Sequence, residues 1–251
     1  MEALMNLIFA EWPAPANIRA LTTTRDGGVS EAPFDSLNLG LHVSDHPEHV
    51  QANRLLLQKK LSLSEEPVWL NQTHSVRCID VDHDASRDGD AAITRDSQKT
   101  LAILTADCLP VVFCTIDGSV LGAAHAGWRG LAGGVLENTV AMMKARTSDI
   151  LAWIGPGICG RCYETGQNVR ETFETRYPFS ASAFTPAERA GHCYADLAAI
   201  AEGILKNLRL QGVFQSNMCT YECKNSLFSY RRSAQTGRIA TLIGFQPGLS
   251  T

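Results

Sequence analysis

The longest helical pattern lies in VSDHPEHVQANRLLLQKKL, Val43 to Leu61. Pro47 and Glu48 fill a first turn there, and Val50, Leu57 and Leu61 fall on one apolar face. Arg54 falls on that same face, an unusual place for a cation. The period then changes. PVWLNQTHSVRCIDV, GDAAIT, LAILTA, LPVVFCTI and SVLGAAHA, between Pro67 and Ala126, are short β-rich runs bounded by turn residues, which predicts strands of a mixed sheet. A second helix is predicted from Arg129 through Lys144, with Leu131, Val135, Leu136, Met142 and Met143 toward the core. LAWIGPGI reads as a strand ending in a Gly-Pro-Gly turn. A further helix follows Asp196 as N-cap, with Leu197, Ile200, Ile204 and Leu208 at helical spacing and Gly212 just past its end. SLFSYRR and GRIATLIGF read as a closing hairpin around Ala234 to Gly237. With no repeat or linker in sight, the fold class expected is α/β, one compact domain over residues 1–251 with a mixed β-sheet core flanked by helices.

Two of the strands place chemistry. If Asp117-Gly118 is a two-residue hairpin turn, facing residues have numbers that sum to about 235, so Cys108 lies opposite Gly127 and His125 opposite Pro110. Cys108 and His125 are then diagonal neighbours on one face, roughly 7–8 Å apart at Cα, a gap that a thiolate and an imidazole can close around one metal ion. Pro110 lacks an N–H, so the ADCLP segment is expected to be bulged or at an edge. His74 of NQTHSV, just after the apolar PVWL, offers a third ligand. Two histidines and a cysteine make a zinc set with a fourth position left for water or substrate. A buried hydrogen-bonded histidine, an inert thiol and a turn histidine give the same spacing, and the pattern alone does not separate the two readings.

Composition narrows the setting. A chain of 251 residues, 45% hydrophobic, can bury a sizeable core, and its net charge of -4 gives no global attraction for nucleic acid or anionic lipid. MEALMNLIFAEWPAP has neither a basic start nor a long apolar run, and no window approaches the roughly 18–20 apolar residues of a membrane span, so a cytoplasmic protein is expected. Eight cysteines in such a chain point to reduced thiols and metal ligation rather than a disulfide framework.

The motifs NQTHS, DGDAAIT, LTADCLPV, AAHAGWRGL, IGPGI with CYE shortly after, and FSYRR followed by TGRIA occur in that order. With SLNLGLHVSD upstream, they resemble the YfiH-type family of laccase-domain proteins over most of the chain. The resemblance implies a sandwich-like α/β domain whose zinc is held by His74, Cys108 and His125. It also implies purine nucleoside phosphorolysis to base and ribose 1-phosphate, with adenosine deaminase and methylthioadenosine phosphorylase activity, and a link in bacteria to peptidoglycan precursor editing. One departure is visible: Ser44 stands in His42-Val43-Ser44-Asp45 where the family motif has glycine.

Under that reading the partners are a small-molecule nucleoside and phosphate, with no nucleic acid and no membrane. Guanidinium forks suit phosphate, and the candidates are Arg54, Arg129, at the passage from the AHAGWRG strand to a helix, and one of the adjacent Arg231 and Arg232, with Arg232 taken. Arg54 has a salt-bridged structural role as its alternative. Asp107 and Gln72, beside the ligands in sequence, are candidates for proton handling or substrate orientation, with second-shell support as an equal explanation. A copper oxidase would call for His-x-His clusters, which are absent; His46 and His49 fall at a helix start and are expected to face solvent. The H-x-E and P-C-x-x-C pattern of zinc deaminases is missing too, since Ala126 and Gly127 follow His125 and Ile158 precedes Cys159. Cys159, Cys162, Cys219 and Cys223 have spacings compatible with a four-cysteine structural site, which the resemblance does not support. Ser75, Ser229 and Ser233 lie in no G-x-S-x-G elbow. Two rivals to the phosphorylase stay open: an editing amidase acting on a mis-charged nucleotide-linked muropeptide precursor, and a non-catalytic metal-binding module.

Overall fold

Every residue of the runs Thr100–Thr105, Leu109–Thr115 and Leu121–Ala126 is buried, and a strand covered on both faces reads as a continuous apolar run instead of alternating. The computed structural model, which describes residues 5–246, shows what covers them. Residues 1–4 of the N-terminal segment and 247–251 of the expected 1–251 span lie outside the described residues.

In chain order the elements are β1 (Leu7–Phe9), β2 (Ile18–Thr23), α1 (Pro47–Leu61), β3 (Val68–Trp69), β4 (Cys78–Asp80), β5 (Ala91–Thr94), β6 (Thr100–Thr105), β7 (Leu109–Thr115) and β8 (Leu121–Ala126). There follow α2 (Trp128–Gly133), α3 (Val135–Met143), β9 (Ile150–Ile154), β10 (Glu164–Gly166), α4 (Gln167–Arg176), β11 (Phe184–Pro186), β12 (His192–Ala195), α5 (Leu197–Asn207), β13 (Gly212–Gln215) and β14 (Ile239–Phe245). One sheet has the order β1-β2-β14-β6-β3 and the other β13-β9-β7-β8-β5-β4, with a small β10-β12-β11 sheet beside them. The two large sheets face each other. Val112 and Cys114 of β7 meet Ile103, Ile243 and Trp153 in the layer between them, while Val111 and Phe113 point the other way, into a core shared with α2, α3 and α5. On the far side, Leu57 and Leu61 of α1 pack on Leu21, Ala102, Leu104 and Leu242. The result is one compact α/β domain, helix on sheet on sheet on helices, in which truncating a core residue such as Leu57 to alanine should cost about 2–5 kcal/mol.

The predicted β7–β8 register is the observed one: Leu109 pairs with Ala126 and Pro110 with His125, and Gly118 turns the hairpin with φ +68°. Pro110 is neither bulged nor at an edge. It sits near the start of a central strand, where its carbonyl accepts the Gly155 N–H at 2.9 Å, at the end of β9. The helix expected over 129–144 is two, α2 and α3, because Gly134 takes φ +101° between them and a Cβ there would lie 2.4 Å from Arg176 Nη2. The β-rich run PVWLNQTHSVRCIDV holds two short strands, β3 and β4, with the ligand-bearing loop between. The closing hairpin is absent: 226–232 forms turns, and β14 pairs with β2 and β6. The Asp196 carboxylate caps α5 by accepting the Ala199 N–H, but the left-handed residue beyond the helix is Arg209, not Gly212. Ser44 has φ +41°, a backbone that favours glycine.

Candidate metal centre

The register brings His125 to the end of β8, where its ring is 4% exposed, and Cys108 to the residue before β7. The preceding Asp107 takes φ +98° and His74 takes φ +62°, both in the left-handed region that non-glycine residues seldom occupy. Such backbones persist only where surrounding bonds over-determine them: Asp107 is held by the Ile158 N–H on its carbonyl and by Thr220 and Arg231 on its carboxylate, and His74 by one buried carboxylate. Asp90, fully buried just before β5, accepts the N–H groups of Thr73 at 3.1 Å, His74 at 2.9 Å and Ser75 at 2.6 Å, and the Ser75 hydroxyl at 2.7 Å. Its Oδ1 also lies 2.8 Å from Nδ1 of His125. A single side chain therefore shapes the His74 loop and fixes the His125 ring, leaving Nε2 of His125 for Cys108 or a cation.

The ligand atoms of His74, Cys108 and His125 all lie within 4.8 Å of one another, with Sγ of Cys108 3.9 Å from Nε2 of His74. Burial alone would raise the Cys108 thiol, but hydrogen bonds from His125 and His74 bring it down to about 6. Burial would likewise lower His125, and Asp90 and Cys108 raise it to about 9. Burial opposes the ionised form of Asp90 as well, yet its bonds from His125 and Ser75 hold it well below the usual carboxylate range. The cluster thus stores a thiolate beside an imidazolium, the arrangement in which a metal cation replaces a proton. Gly127 leaves the room: a Cβ there would lie 2.9 Å from the His74 ring and 3.0 Å from Cys108 Sγ. Donor types, carboxylate support and this cradle all fit a divalent metal of Zn²⁺ type.

Cations crowd the cluster although the chain is acidic. Arg54, on the half-buried face predicted for it, stacks its guanidinium 4.2 Å from the Trp69 ring. Its Nε and Nη2 donate to the Leu39 carbonyl, and Nη1 stands 3.7 Å from Glu66. His42 is held below its ordinary value by partial burial and by the charges of Arg238, Arg54 and His125. Arg238 feels Cys108 and Asp107. Tyr163, pushed up to about 12 by burial and the Cys108 charge, lies near Arg231 and Arg129 and has Arg231 5.1 Å above its ring. Arg129 is exposed at the start of α2 and rests 4.5 Å from the Trp128 ring.

Three predicted site residues are occupied otherwise. Both ends of the Gln72 amide bond the Leu104 backbone, at 2.8 Å each, bracing the loop against β6. The Asp107 carboxylate accepts the Thr220 hydroxyl and the Arg231 N–H, each at 2.6 Å. Arg232 donates to the carbonyls of Thr220, Tyr221 and Leu227, so its fork ties a loop together, and the neighbour not chosen, Arg231, is the one beside Tyr163. Strand alternation does not apply, because 231–232 is a turn. His46 is exposed as expected, whereas His49 is half-buried with its ring 5.2 Å from that of His46. Sequence reasoning missed Asp90, Arg238 and Tyr163 although DGDAAIT, TGRIA and CYE carry them; an acid opening a strand beside a ligand loop was the available signal for Asp90.

The chain is similar to known proteins in sequence and in fold. The family described as multi-copper polyphenol oxidoreductase laccase matches residues 19–246. The purine nucleoside phosphorylase PA4543 of Pseudomonas aeruginosa is 43% identical, covering 94% of this chain and 97% of its own. The Escherichia coli purine nucleoside phosphorylase YfiH is 41% identical, over 96% of this chain and 99% of its own. The crystal structure of the Neisseria meningitidis protein NMB0706 superposes with a TM-score of 0.91 at 44% identity, covering 96% of this chain and 100% of that one. Matched along nearly its whole length by sequence and by fold, the chain belongs to the laccase-like YfiH family.

Proposed function

We propose that the protein is a zinc-dependent, cytoplasmic purine nucleoside phosphorylase with adenosine deaminase activity. Inosine, adenosine or methylthioadenosine would be cleaved by phosphate: a phosphate oxygen bonds C1′ as the C1′–N9 bond breaks, giving ribose 1-phosphate, or methylthioribose 1-phosphate from methylthioadenosine, and a purine that takes up a proton. The observation that carries the reading is the close-set His74–Cys108–His125 cluster, whose ligand atoms all lie within 4.8 Å of one another, on a chain whose relatives bear the phosphorylase name. His74, Cys108 and His125 would hold Zn²⁺, which when bound supplies Lewis acidity toward a substrate oxygen or water.

The remaining roles belong to the chain's own groups. Arg129, exposed and with no side-chain hydrogen bond among the described residues, offers a fork for phosphate, and Arg231 at Tyr163, whose Nη1 donates to the Glu164 carbonyl, can add its remaining nitrogens. Arg54 can lend charge and its Nη1, since only the loose Glu66 contact occupies that nitrogen. His42, neutral at pH 7, has one nitrogen to donate and one to accept a proton at the substrate. Asp107, Gln72 and Arg232 are positioning residues. No helix among the described residues is long and apolar enough to cross a membrane.

Purified protein incubated with inosine, with and without phosphate, should release hypoxanthine and ribose 1-phosphate only when phosphate is present. Hypoxanthine with free ribose, or no cleavage by metal-loaded protein, would overturn the phosphorylase reading. Adenosine should yield inosine as well as adenine. Elemental analysis should find zinc that is lost from this site in Cys108→Ser; copper as the main metal would overturn that part.

A further inference from the structure

A second cluster of thiols lies apart from the first. After β9 the chain runs Cys159-Gly160-Arg161-Cys162, and after β13 it runs Cys219-Thr220-Tyr221-Glu222, so a C-x-x-C faces a C-x-x-E. The sulfurs of Cys159, Cys162 and Cys219 lie within 4.8 Å of one another. Cys223, the fourth cysteine of the sequence pattern, is not among them. Instead Glu222 presents Oε1 3.7 Å from Sγ of Cys162. From these contacts we infer that Cys159, Cys162, Cys219 and Glu222 form a binding site for one thiophilic divalent cation of the Zn²⁺ class, independent of the reading given to His74, Cys108 and His125.

The dimensions suit a tetrahedral ion. Zn–S bonds of about 2.3 Å and Zn–O bonds of about 2.1 Å place sulfurs about 3.8 Å apart and sulfur about 3.5 Å from oxygen, a small contraction from the distances here. The backbone is already built around anionic sulfur. The Cys159 N–H donates to Sγ of Cys219 at 3.3 Å, and the amides of Tyr221 and Glu222 face the same atom. The Arg161 amide likewise faces Cys159, so the first cysteine of each motif receives an N–H from two residues on, within its own tight turn. The turns are joined before any metal arrives: Gly157 bridges Cys219, with Thr220 N–H on the Gly157 carbonyl at 3.0 Å. Charge is partly compensated. Three thiolates and a carboxylate around a dication leave an excess of two negatives, and Arg161, paired to both oxygens of Glu222 at 3.0 and 3.1 Å, offsets one of them.

The position gives the ion a structural task. Ile158 N–H bonds the Asp107 carbonyl at 2.8 Å and the Thr220 hydroxyl bonds the Asp107 carboxylate, so the two turns grip the residue next to Cys108. A metal there would clamp the loop that presents the first site.

The test uses full-length protein carrying Cys108→Ser and His125→Ala, which removes the first site's thiolate. Reduced protein is loaded with Zn²⁺ or Co²⁺, desalted, and checked for folding by circular dichroism. About one metal per chain should remain, and the Co²⁺ form should show a near-ultraviolet thiolate-to-metal charge-transfer band. Adding Cys162→Ser or Cys219→Ser should abolish the tight binding, and Glu222→Gln should keep the band while weakening affinity about tenfold, as loss of one ligand's charge implies. Wild type should bind about two metals, and the second should raise Tm. Folded, reduced protein that takes up no metal in the Cys108→Ser, His125→Ala background would overturn the proposal. So would a band that survives Cys219→Ser and Cys162→Ser together. Because Cys162 and Glu222 lie near the surface, their variants test binding even if Cys219→Ser fails to fold.

Discussion

Asp90→Asn is the sharpest test of how the first site is built. The substitution keeps shape and removes charge, and the new amide nitrogen must replace one of two oxygens that face only donors. At Oδ2 it meets the N–H groups of Thr73 and Ser75 and the Ser75 hydroxyl, which can turn to accept, and at Oδ1 it meets the N–H of His74 and Nδ1 of His125. Either choice loses two charge-assisted hydrogen bonds, each worth about 1.5–3 kcal/mol, and in the second a neutral bond to His125 is recovered only by protonating the ring at Nε2, the nitrogen a metal needs. The gross loss is about 3–6 kcal/mol. The His74 loop is exposed and can turn donors to water, so we expect the low end, about 3 kcal/mol in urea unfolding of metal-free protein. Competition with a chromophoric chelator should show metal held about 10–100-fold more weakly. Asp88→Asn, two residues away and exposed, should change stability by less than about 0.5 kcal/mol. If Asp90→Asn matched the Asp88 control in both assays, the carboxylate would not be organising the site.

Gly127→Ala should sharply reduce metal content with little change in circular dichroism, because its Cβ would lie against the His74 ring and Cys108 Sγ. Ser44→Gly should raise stability by about 1 kcal/mol in urea melts, relieving a positive φ; a loss would show that Ser44 makes a contact of value. Asp82 is held below the usual carboxylate range, burial being outweighed by bonds from Thr94, Arg95 and Lys99. A depressed carboxyl stabilises above its unfolded value of about 3.9 and ceases to as pH falls through its folded value, so Asp82→Asn should flatten stability against pH below about 4 and lower it near neutrality. Arg129→Ala should raise the KM for phosphate about tenfold or more while leaving metal content unchanged, the loss expected of one charge-assisted pair; an unchanged KM would return Arg129 to the surface of α2.

What could be read in the chain follows from how local each determinant is. The β7–β8 register was legible because a two-residue turn fixes the pairing and counting does the rest, which is why Cys108 and His125 came together on paper. Pro110 was misplaced because central strands do accept proline where a neighbour ends, and that end belongs to β9, some forty residues on. The polar α4 went unread since only Val169 and Phe173 bury a face. The closing hairpin failed for a different reason. β14 is apolar because two sheet neighbours and two cores cover it, and nothing in GRIATLIGF says that its partners are β2 and β6 rather than the preceding segment.

Chemistry was less legible than fold, and the arginines show why. Sequence can say that a guanidinium is present but not how its donors are spent. Arg232 gives its fork to three carbonyls, and Arg238, never chosen, stands close enough to feel the Cys108 charge. The same holds for acids: Asp107 adjoins a ligand and is consumed by Thr220 and Arg231, whereas Asp90, sixteen residues from His74, controls two ligands at once. Proximity along the chain therefore does not separate an acid spent on loop structure from one that organises the ligands. What distinguishes them is which donors and acceptors remain after the loops are satisfied: the exposed Arg129 side chain keeps only its contact with the Trp128 ring, Arg54 leaves Nη1 to a loose Glu66 contact, and Arg231 spends Nη1 on the Glu164 carbonyl, while Asp90 holds the His74 loop and the His125 ring together.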